Sequence, residues 1–377
     1  MALRSLRLMY DAESGLFCHR VKSTQSGVVR EGVSDRYTLI TLAGLVRAKA
    51  AGLGCPMDIS AILGPFLHEK KRITNLGDLG LLCWVSALVS EKHLESFLHT
   101  YDLQEAIQSY SGVDEDRTME LAWFLAGISH AAESALQLRG PLQAPATESY
   151  ELLRLNQGPH GIFGHRSRWR SLGGVVRGHI GSFADQVYPI YAMVQFSRVY
   201  QIEEASQAAL KCARAICRMQ GPEGQWWWHY NSVSGKVVEH YPVFSVHQDG
   251  MAPMALTALQ NACGTDFRGP IEKGLGWIYG ANELQQDLTD ESENLIWRCV
   301  GQRRFDVYRG YLSAALGRNR GIARDLQVLY ECRPYHLGWL LYAFAGTQVN
   351  SGHLTVSNSN FADSMMSDDC PSVPDLR

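Results

Sequence analysis

The residues best suited to proton chemistry in this chain lie in two short segments that echo each other. Val246-His247-Gln248-Asp249 sets an imidazole two residues before a carboxylate, and Phe183-Ala184-Asp185-Gln186 sets a carboxylate at the matching point one repeat earlier. An imidazole exchanges protons near neutral pH, and a carboxylate beside it can orient it or act as acid or base itself. Arg36, Asp78, Asp116, Arg333 and His336 likewise stand at the openings of other apolar segments. Each of Asp78, Asp116, Asp185 and Asp249 could be no more than a helix cap, worth about 0.5–2 kcal/mol. Arg36, His247, Arg333 and His336 fit that explanation poorly, because a helix N-terminus carries partial positive charge and disfavours cations. Mixed charges beside apolar runs are costly to bury unless they pair with each other or meet a polar ligand. A functional cleft accounts for the set jointly.

An aromatic segment precedes the second echo. Gln225-Trp226-Trp227-Trp228-His229-Tyr230-Asn231, a turn at Ser234-Gly235-Lys236, and Val237 to Phe244 read as a short β-hairpin. Consecutive tryptophans on a strand point to alternate faces, so at least one should face away from the main packing. Trp226, Trp228 and Tyr241 are therefore expected to offer planes to a ligand. Sugars suit such planes through their C–H faces and hydroxyls; polyenes suit them through carbocations that aromatic faces stabilise.

The elements that must position these groups are helices. Gln157-Gly158-Pro159-His160-Gly161-Ile162-Phe163 returns as Gln220-Gly221-Pro222-Glu223-Gly224-Gln225-Trp226, each copy followed about two dozen residues later by an acid opening an apolar helix. A repeat at this period implies one supersecondary unit used several times. Apolar runs with helical spacing begin at Gly32–Tyr37, Thr74–Asp78, Val113–Thr118, Asp185, Asp249 and Glu331–His336, and amphipathic stretches such as Glu203–Met219 and Arg304–Leu316 lie between them. Six apolar inner helices alternating with amphipathic outer ones predict an all-α (α/α)6 toroid, with the hairpin at its mouth and the inner N-termini at one end. Residues 1–350 are expected to form this single domain, and the polar stretch 351–377 a disordered tail.

The sequence resembles the six-hairpin glycosidase-like enzymes, an (α/α)6 superfamily of unsaturated-uronide hydrolases, sugar epimerases and polysaccharide lyases. Its Gly224-Gln225-Trp226 turn before His247-Gln248-Asp249 is similar to the turn that precedes a sugar-lining inner helix there. The resemblance implies a carbohydrate-active enzyme that hydrolyses, eliminates or epimerises a glycoside or uronide. Asp249 and Asp185 would be the acid/base carboxylates and His247 the proton shuttle. Separations of about 5 Å or 6.5–9.5 Å would suit retaining or inverting cleavage respectively. Trp226, Trp228 and Tyr241 would form the sugar platform, with Gln186, Gln248 and Asp78 binding beside it and Arg36, Arg333 and His336 anchoring polar or anionic groups. A rival resemblance is to the terpenoid cyclase and prenyltransferase toroids, whose Gln-x-x-x-Gly-x-Trp repeat Gln220–Trp226 meets in full. That reading makes Asp116 the proton donor. Asp114-Glu115-Asp116-Arg117-Thr118 departs from the Asp-x-Asp-Asp-Thr signature at Arg117, and no Asp-Asp-x-x-Asp is present.

Composition excludes several other classes. A net charge of −3 with no basic stripe gives no reason to expect nucleic acid. The nine cysteines form no CxxC and read as buried thiols of a cytoplasmic protein. No metal or cofactor is implied, no stretch reaches the roughly 18–20 apolar residues of a membrane span, and a small-molecule or oligosaccharide substrate is the expected partner. The acidic run Asp287–Glu293 lacks the glycine and spacing of a calcium loop and reads as a solvated link between helices.

Overall fold

The computed structural model describes residues 1–25, 27–55, 57–111, 117–166, 177–302, 325–346, 348–350 and 353–355. Met1–Ala345 form one unit; Gly346–Arg377 form a second, in which Gln348–Asn350 pairs antiparallel with His353–Thr355. The helices of the first unit are α1 (Ala2–Met9), α2 (Asp35–Ala50), α3 (Ile59–His68), α4 (Leu76–Val89), α5 (Glu91–Thr100), α6 (Leu103–Ser111) and α7 (Thr118–Ser134). They continue with α8 (Arg139–Leu155), α9 (Ala184–Tyr200), α10 (Glu203–Arg218), α11 (Ala252–Cys263), α12 (Arg268–Ile278) and α13 (Pro334–Phe344).

The ring is built from the helices that are apolar all round. In α4 every residue from Leu76 to Ser86 is buried, and in α9 every residue from Asp185 to Phe196. Such helices have no face for water and must sit inside. α2 packs on α4, α4 on α7, α7 on α9 and α9 on α11, and α13 lies against both α11 and α2, which closes the circle. The amphipathic helices form the outer layer. α10, for example, buries Ala205, Ala208, Ala209, Cys212, Ala213 and Ile216 and turns its charges outward. The all-α (α/α)6 toroid expected from the sequence is the architecture observed.

Each inner helix begins where the periodicity placed it, but the capping groups differ from the acids singled out. Ser34 Oγ accepts from the Tyr37 amide at 3.2 Å, and Asn75 Oδ1 accepts from the Asp78 amide at 2.9 Å. The carboxylate of Asp78 is thereby left for other partners. The fifth inner helix starts with a π turn, His247–Met251, that runs into α11. Such a turn inserts a residue into the helical register and is frequent at functional sites.

The repeated glutamine turn is a splice between hairpins. Gln157 Nε2 donates to Gly161 O at 2.9 Å and to Ala208 O of α10 at 3.0 Å. Gln220 Nε2 donates to Gly224 O at 3.0 Å and to Pro270 O of α12 at 2.9 Å. Gly224 has a φ of +103°, and a Cβ there would lie 2.1 Å from Lys273 O, so only glycine lets this turn touch the next helix.

The strands depart from expectation in two places. Tyr10–Asp11 (β1), Leu16–Thr24 (β2) and Gly27–Val33 (β3) form an antiparallel sheet that periodicity did not signal, because β2 buries three residues in a row instead of alternating. Further strands are Ile180–Ser182 (β4), His229–Asn231 (β5), Lys236–Glu239 (β6), Val243–Phe244 (β7), Thr289–Asp290 (β8), Leu295–Ile296 (β9), Cys299–Gln302 (β10), Leu326–Leu329 (β11) and Glu331–Cys332 (β12). The run Asp287–Glu293 is thus not a simple helix–helix link: Thr289–Asp290 within it pair with Leu295–Ile296 as the hairpin β8–β9. The aromatic hairpin is present as β5–β6, extended by β4, but it starts at His229, after the three tryptophans. Arg304–Leu316 lies outside the described residues.

Candidate functional site at the N-terminal ends of the inner helices

Asp249, in the π turn, and His336, in the first turn of α13, meet inside the ring: His336 Nε2 lies 2.7 and 2.9 Å from the two carboxylate oxygens. Both residues are buried. Burial alone would strip the proton from His336, but the Asp249 charge and hydrogen bonds outweigh it and lift its pKa to about 10. His247 titrates the other way, pushed down to about 3 by burial and by charged His336. Its ring packs against Phe183 and Phe244, with centroids 4.7 and 5.2 Å away, and its Nδ1 has no partner among the described residues. Near neutral pH the site therefore holds one imidazolium paired to a carboxylate and one neutral imidazole.

This pair predicts a stability optimum. An unfolded histidine titrates near 6.5. The contribution of His336 is complete below about pH 6.5 and is lost as pH rises through 10, because the folded state keeps a proton that the unfolded chain gives up. That of His247 is complete above about 6.5 and is lost as pH falls toward 3, where the unfolded chain binds a proton the fold refuses. Urea midpoints measured against pH should peak near 6.5, and His336→Gln should flatten the alkaline limb.

Asp185 stands in the first turn of α9. Its Oδ2 accepts from Ser182 N at 2.8 Å and Ser182 Oγ at 2.9 Å, and lies 3.3 Å from His165 Nδ1, whose pKa it raises. The second oxygen, Oδ1, is buried with no partner among the described residues. Buried carboxylate oxygens are normally satisfied, which sets this atom apart among the described residues. Gln186 needs correction as a ligand-binding residue. It accepts from Phe163 N at 2.8 Å and donates to Phe163 O and Ser182 O at 2.9 and 3.0 Å, so its amide braces the aromatic turn. Gln248 is also fully buried and donates to Phe244 O at 3.2 Å, leaving Oε1 unpartnered among the described residues.

The aromatic platform is smaller than expected. Trp226 is 0% exposed and stacks on Phe183 with centroids 5.4 Å apart, so no face remains for a sugar. The expectation failed because Trp226 lies before the strand, where alternation does not apply. Trp226→Ala should destabilise by about 3–5 kcal/mol, as removal of a large buried aromatic does; an unchanged urea midpoint would contradict this placement. Trp228 is half-buried and stacks on the His247 ring at 6.0 Å, and Tyr241, also half-buried, donates to Glu283 Oε1 at 2.5 Å. Sequence reasoning missed the His229–Glu239 pair on β5 and β6, hydrogen-bonded beside Trp228. The signal was available, since both residues stand among the hairpin aromatics.

The charged rim is paired within itself. Arg36 donates to both oxygens of Asp78 at 2.5 and 3.2 Å, and its guanidinium lies 5.3 Å from the Trp123 ring centre. Arg333 donates to Tyr37 OH at 2.6 Å and to Glu331 Oε1 at 3.1 Å. Glu331, another residue not singled out from sequence, also accepts from Arg20 at 2.8 Å and from Arg298. Burial would raise its pKa, but Arg298 and Arg333, with Arg20, hold it below the usual carboxylate value. Tyr37 packs at a tilt against Tyr335 with centroids 4.6 Å apart, and Trp123 meets Tyr188 of α9 edge-on at 5.1 Å. These contacts join the openings of α2, α4, α7, α9, the π turn and α13 at one end of the ring. Asp116 lies outside the described residues. Among those residues, no group of three His, Cys, Asp or Glu is placed to hold a metal ion.

The ring of α-hairpins is shared with solved carbohydrate-active enzymes. A sugar epimerase from a ruminal bacterium is similar over 91% of this chain and 95% of its own, with a TM-score of 0.62 and 11% identity. An unsaturated glucuronyl hydrolase from Bacillus sp. GL1, responsible for glycosaminoglycan degradation, is similar over 91% and 92%, with a TM-score of 0.57 and 13% identity. An unsaturated glucuronyl hydrolase specific for heparin is similar over 91% and 93%, with a TM-score of 0.58 and 12% identity. The fold is the six-hairpin glycosidase-like toroid. No protein-family model matches the sequence, and no curated protein does. At these identities the likeness concerns the scaffold. No helix among the described residues is long and apolar enough to cross a membrane.

Proposed function

We propose that this protein is a carbohydrate-active enzyme that acts on a glycoside or uronide by acid/base chemistry at the ring mouth. The observation that carries the reading is the buried Asp249–His336 pair beside neutral His247. Neutral His247 can take a proton at its unpartnered Nδ1, and protonated His336, held by Asp249, can give one. A base and an acid in one enclosure suit proton removal and return at a sugar carbon, as in epimerisation or elimination. Hydrolysis would ask Asp249 and Asp185 to flank one bond, and Asp249 is already neutralised by His336. Asp185 would accept a hydroxyl through Oδ1, Trp228 would stack on the ring, and Arg36 and Arg333 would face polar or anionic substituents. Epimerases and uronide hydrolases among the proteins that share this fold support the substrate class.

A polyene is disfavoured by what fills the ring. Trp84 of α4, Tyr191 of α9, and Trp339 and Tyr342 of α13 pack against one another, stacked, tilted or edge-on, with His130 of α7 stacked on Trp84, at centroid distances of 5.0 to 6.1 Å. A cyclase would need that axis open. Incubation with uronide oligosaccharides, with reducing sugars in D2O and with prenyl diphosphates, read by mass spectrometry, tests the reading. A sugar product carrying a single deuterium is expected; turnover of the prenyl diphosphate alone would reject the proposal.

A further inference from the structure

We infer that the outer wall of the ring carries a second binding site, a groove for an anionic sugar chain, separate from the mouth. A groove of about 600 Å³ runs between the Gln157–Phe163 turn and one face of α10, lined by His160, Gln207, Lys211, Arg214, Arg218 and Gly235 among others. That volume lies within the range of about 300–1,000 Å³ usual for ligand sites. No aspartate or glutamate lines it, and among the described residues no ion pair engages Lys211, Arg214 or Arg218.

Gln207, Lys211, Arg214 and Arg218 are spaced by four, three and four residues, which makes one stripe on the helix. Like charges at these spacings repel each other. The negative end of the helix dipole explains Arg218 in the last turn, but its effect does not extend to Lys211 two turns earlier. The cations remain concentrated where they disfavour the free protein, and an anionic ligand removes that cost.

The groove is also fixed in shape. Gly161 has a φ of +89°, and a Cβ there would stand 2.8 Å from Lys211 Cγ; Gly235 has a φ of +65°, and a Cβ there would stand 2.6 Å from His160 Cβ. Both turns thus close onto the stems of groove residues. Gln157 ties the first turn to Ala208 O of α10 at 3.0 Å. The wall is set before any ligand arrives.

Along α10, Lys211 and Arg218 are about 10 Å apart, with Arg214 between them. The stripe therefore fits a chain that carries an anionic group about every 5 Å, as sulfated or carboxylated sugars do. No Phe, Tyr or Trp lines the groove to stack a base, which disfavours single-stranded nucleic acid. The sugar half of this inference rests on the carbohydrate reading above; the charge half stands without it.

The test is calorimetric titration of the full chain with a sulfated hexasaccharide, its desulfated counterpart and a single-stranded hexanucleotide, at low and moderate salt. The sulfated sugar should bind, with a salt dependence of about three ionic contacts. Arg214→Glu with Arg218→Glu should weaken it at least tenfold, and Asp249→Asn should leave it unchanged. Such binding without turnover of any sugar at the mouth would support the groove while the catalytic reading fails. Absence of binding, equal binding by the double variant, or tighter binding of the hexanucleotide would overturn the assignment. So would loss of binding in Asp249→Asn alone, which moves the ligand to the mouth.

Discussion

Asp249→Asn should lower turnover by about 10²- to 10⁴-fold, the range that a positioned acid/base group contributes, while the protein stays folded. The carboxylate is what keeps His336 protonated inside the ring, at a pKa of about 10. An asparagine can still accept one hydrogen bond from Nε2, but it supplies no charge. Burial then dominates, and the imidazole should titrate below its ordinary value near 6.5. At neutral pH the site would hold two neutral imidazoles and no proton donor. Two readouts check this. Product formation by mass spectrometry gives the loss in turnover, and the NMR titration of His336 gives the fall in pKa. Near-UV circular dichroism should be unchanged, which separates lost chemistry from lost structure. Full activity in the variant would reject Asp249 as part of the catalytic machinery.

A large loss of stability should come from Gly80→Ala. A mid-helix glycine-to-alanine change ordinarily stabilises by about 0.8–1 kcal/mol. At Gly80 a Cβ would stand 2.3 Å from Phe124 Cα and 2.4 Å from its amide nitrogen, both backbone atoms of α7. Across the same contact, a Cβ on Gly127 would stand 2.2 Å from Gly80 O. Backbone cannot rotate away as a side chain can, so α4 and α7 must separate along their whole contact. Overpacking costs about 1–3 kcal/mol and occasionally more, and a clash with backbone belongs at the upper end, which outweighs the gain in helix propensity. Gly276→Ala serves as the control. There a Cβ meets only Ala281 Cβ at 3.9 Å, so the variant should be neutral or slightly more stable. Equal urea midpoints for the two variants would contradict the close approach of α4 to α7.

How far the fold was legible follows from which signal each element carries. The inner helices announced themselves because burial on all sides leaves long runs such as Leu79–Val85 with no polar interruption. The glutamine turn was legible because the same geometric task, bridging one outer helix to the next, fell to the same residues twice. The β2–β3 sheet was not, since β2 is covered from both sides at one end and exposed at the other, which erases alternation. Trp226 was misread for a related reason. Its type is compatible with a ligand platform or with a core, and only the position of Phe183 beside it makes it core.

The sequence by itself determined the ring, its six helix openings and the residue types that stand there, because helical periodicity and polar interruptions are local properties of the chain. Only the tertiary structure decided which of those groups meet. Asp249 and His336 are 87 positions apart, and their hydrogen bond depends on the circle closing α13 against the π turn. The same closure left His247 neutral and drew Arg36 onto Asp78. Protonation and pairing depend on distance and on exclusion of water, and neither is written in the spacing of residues along a chain.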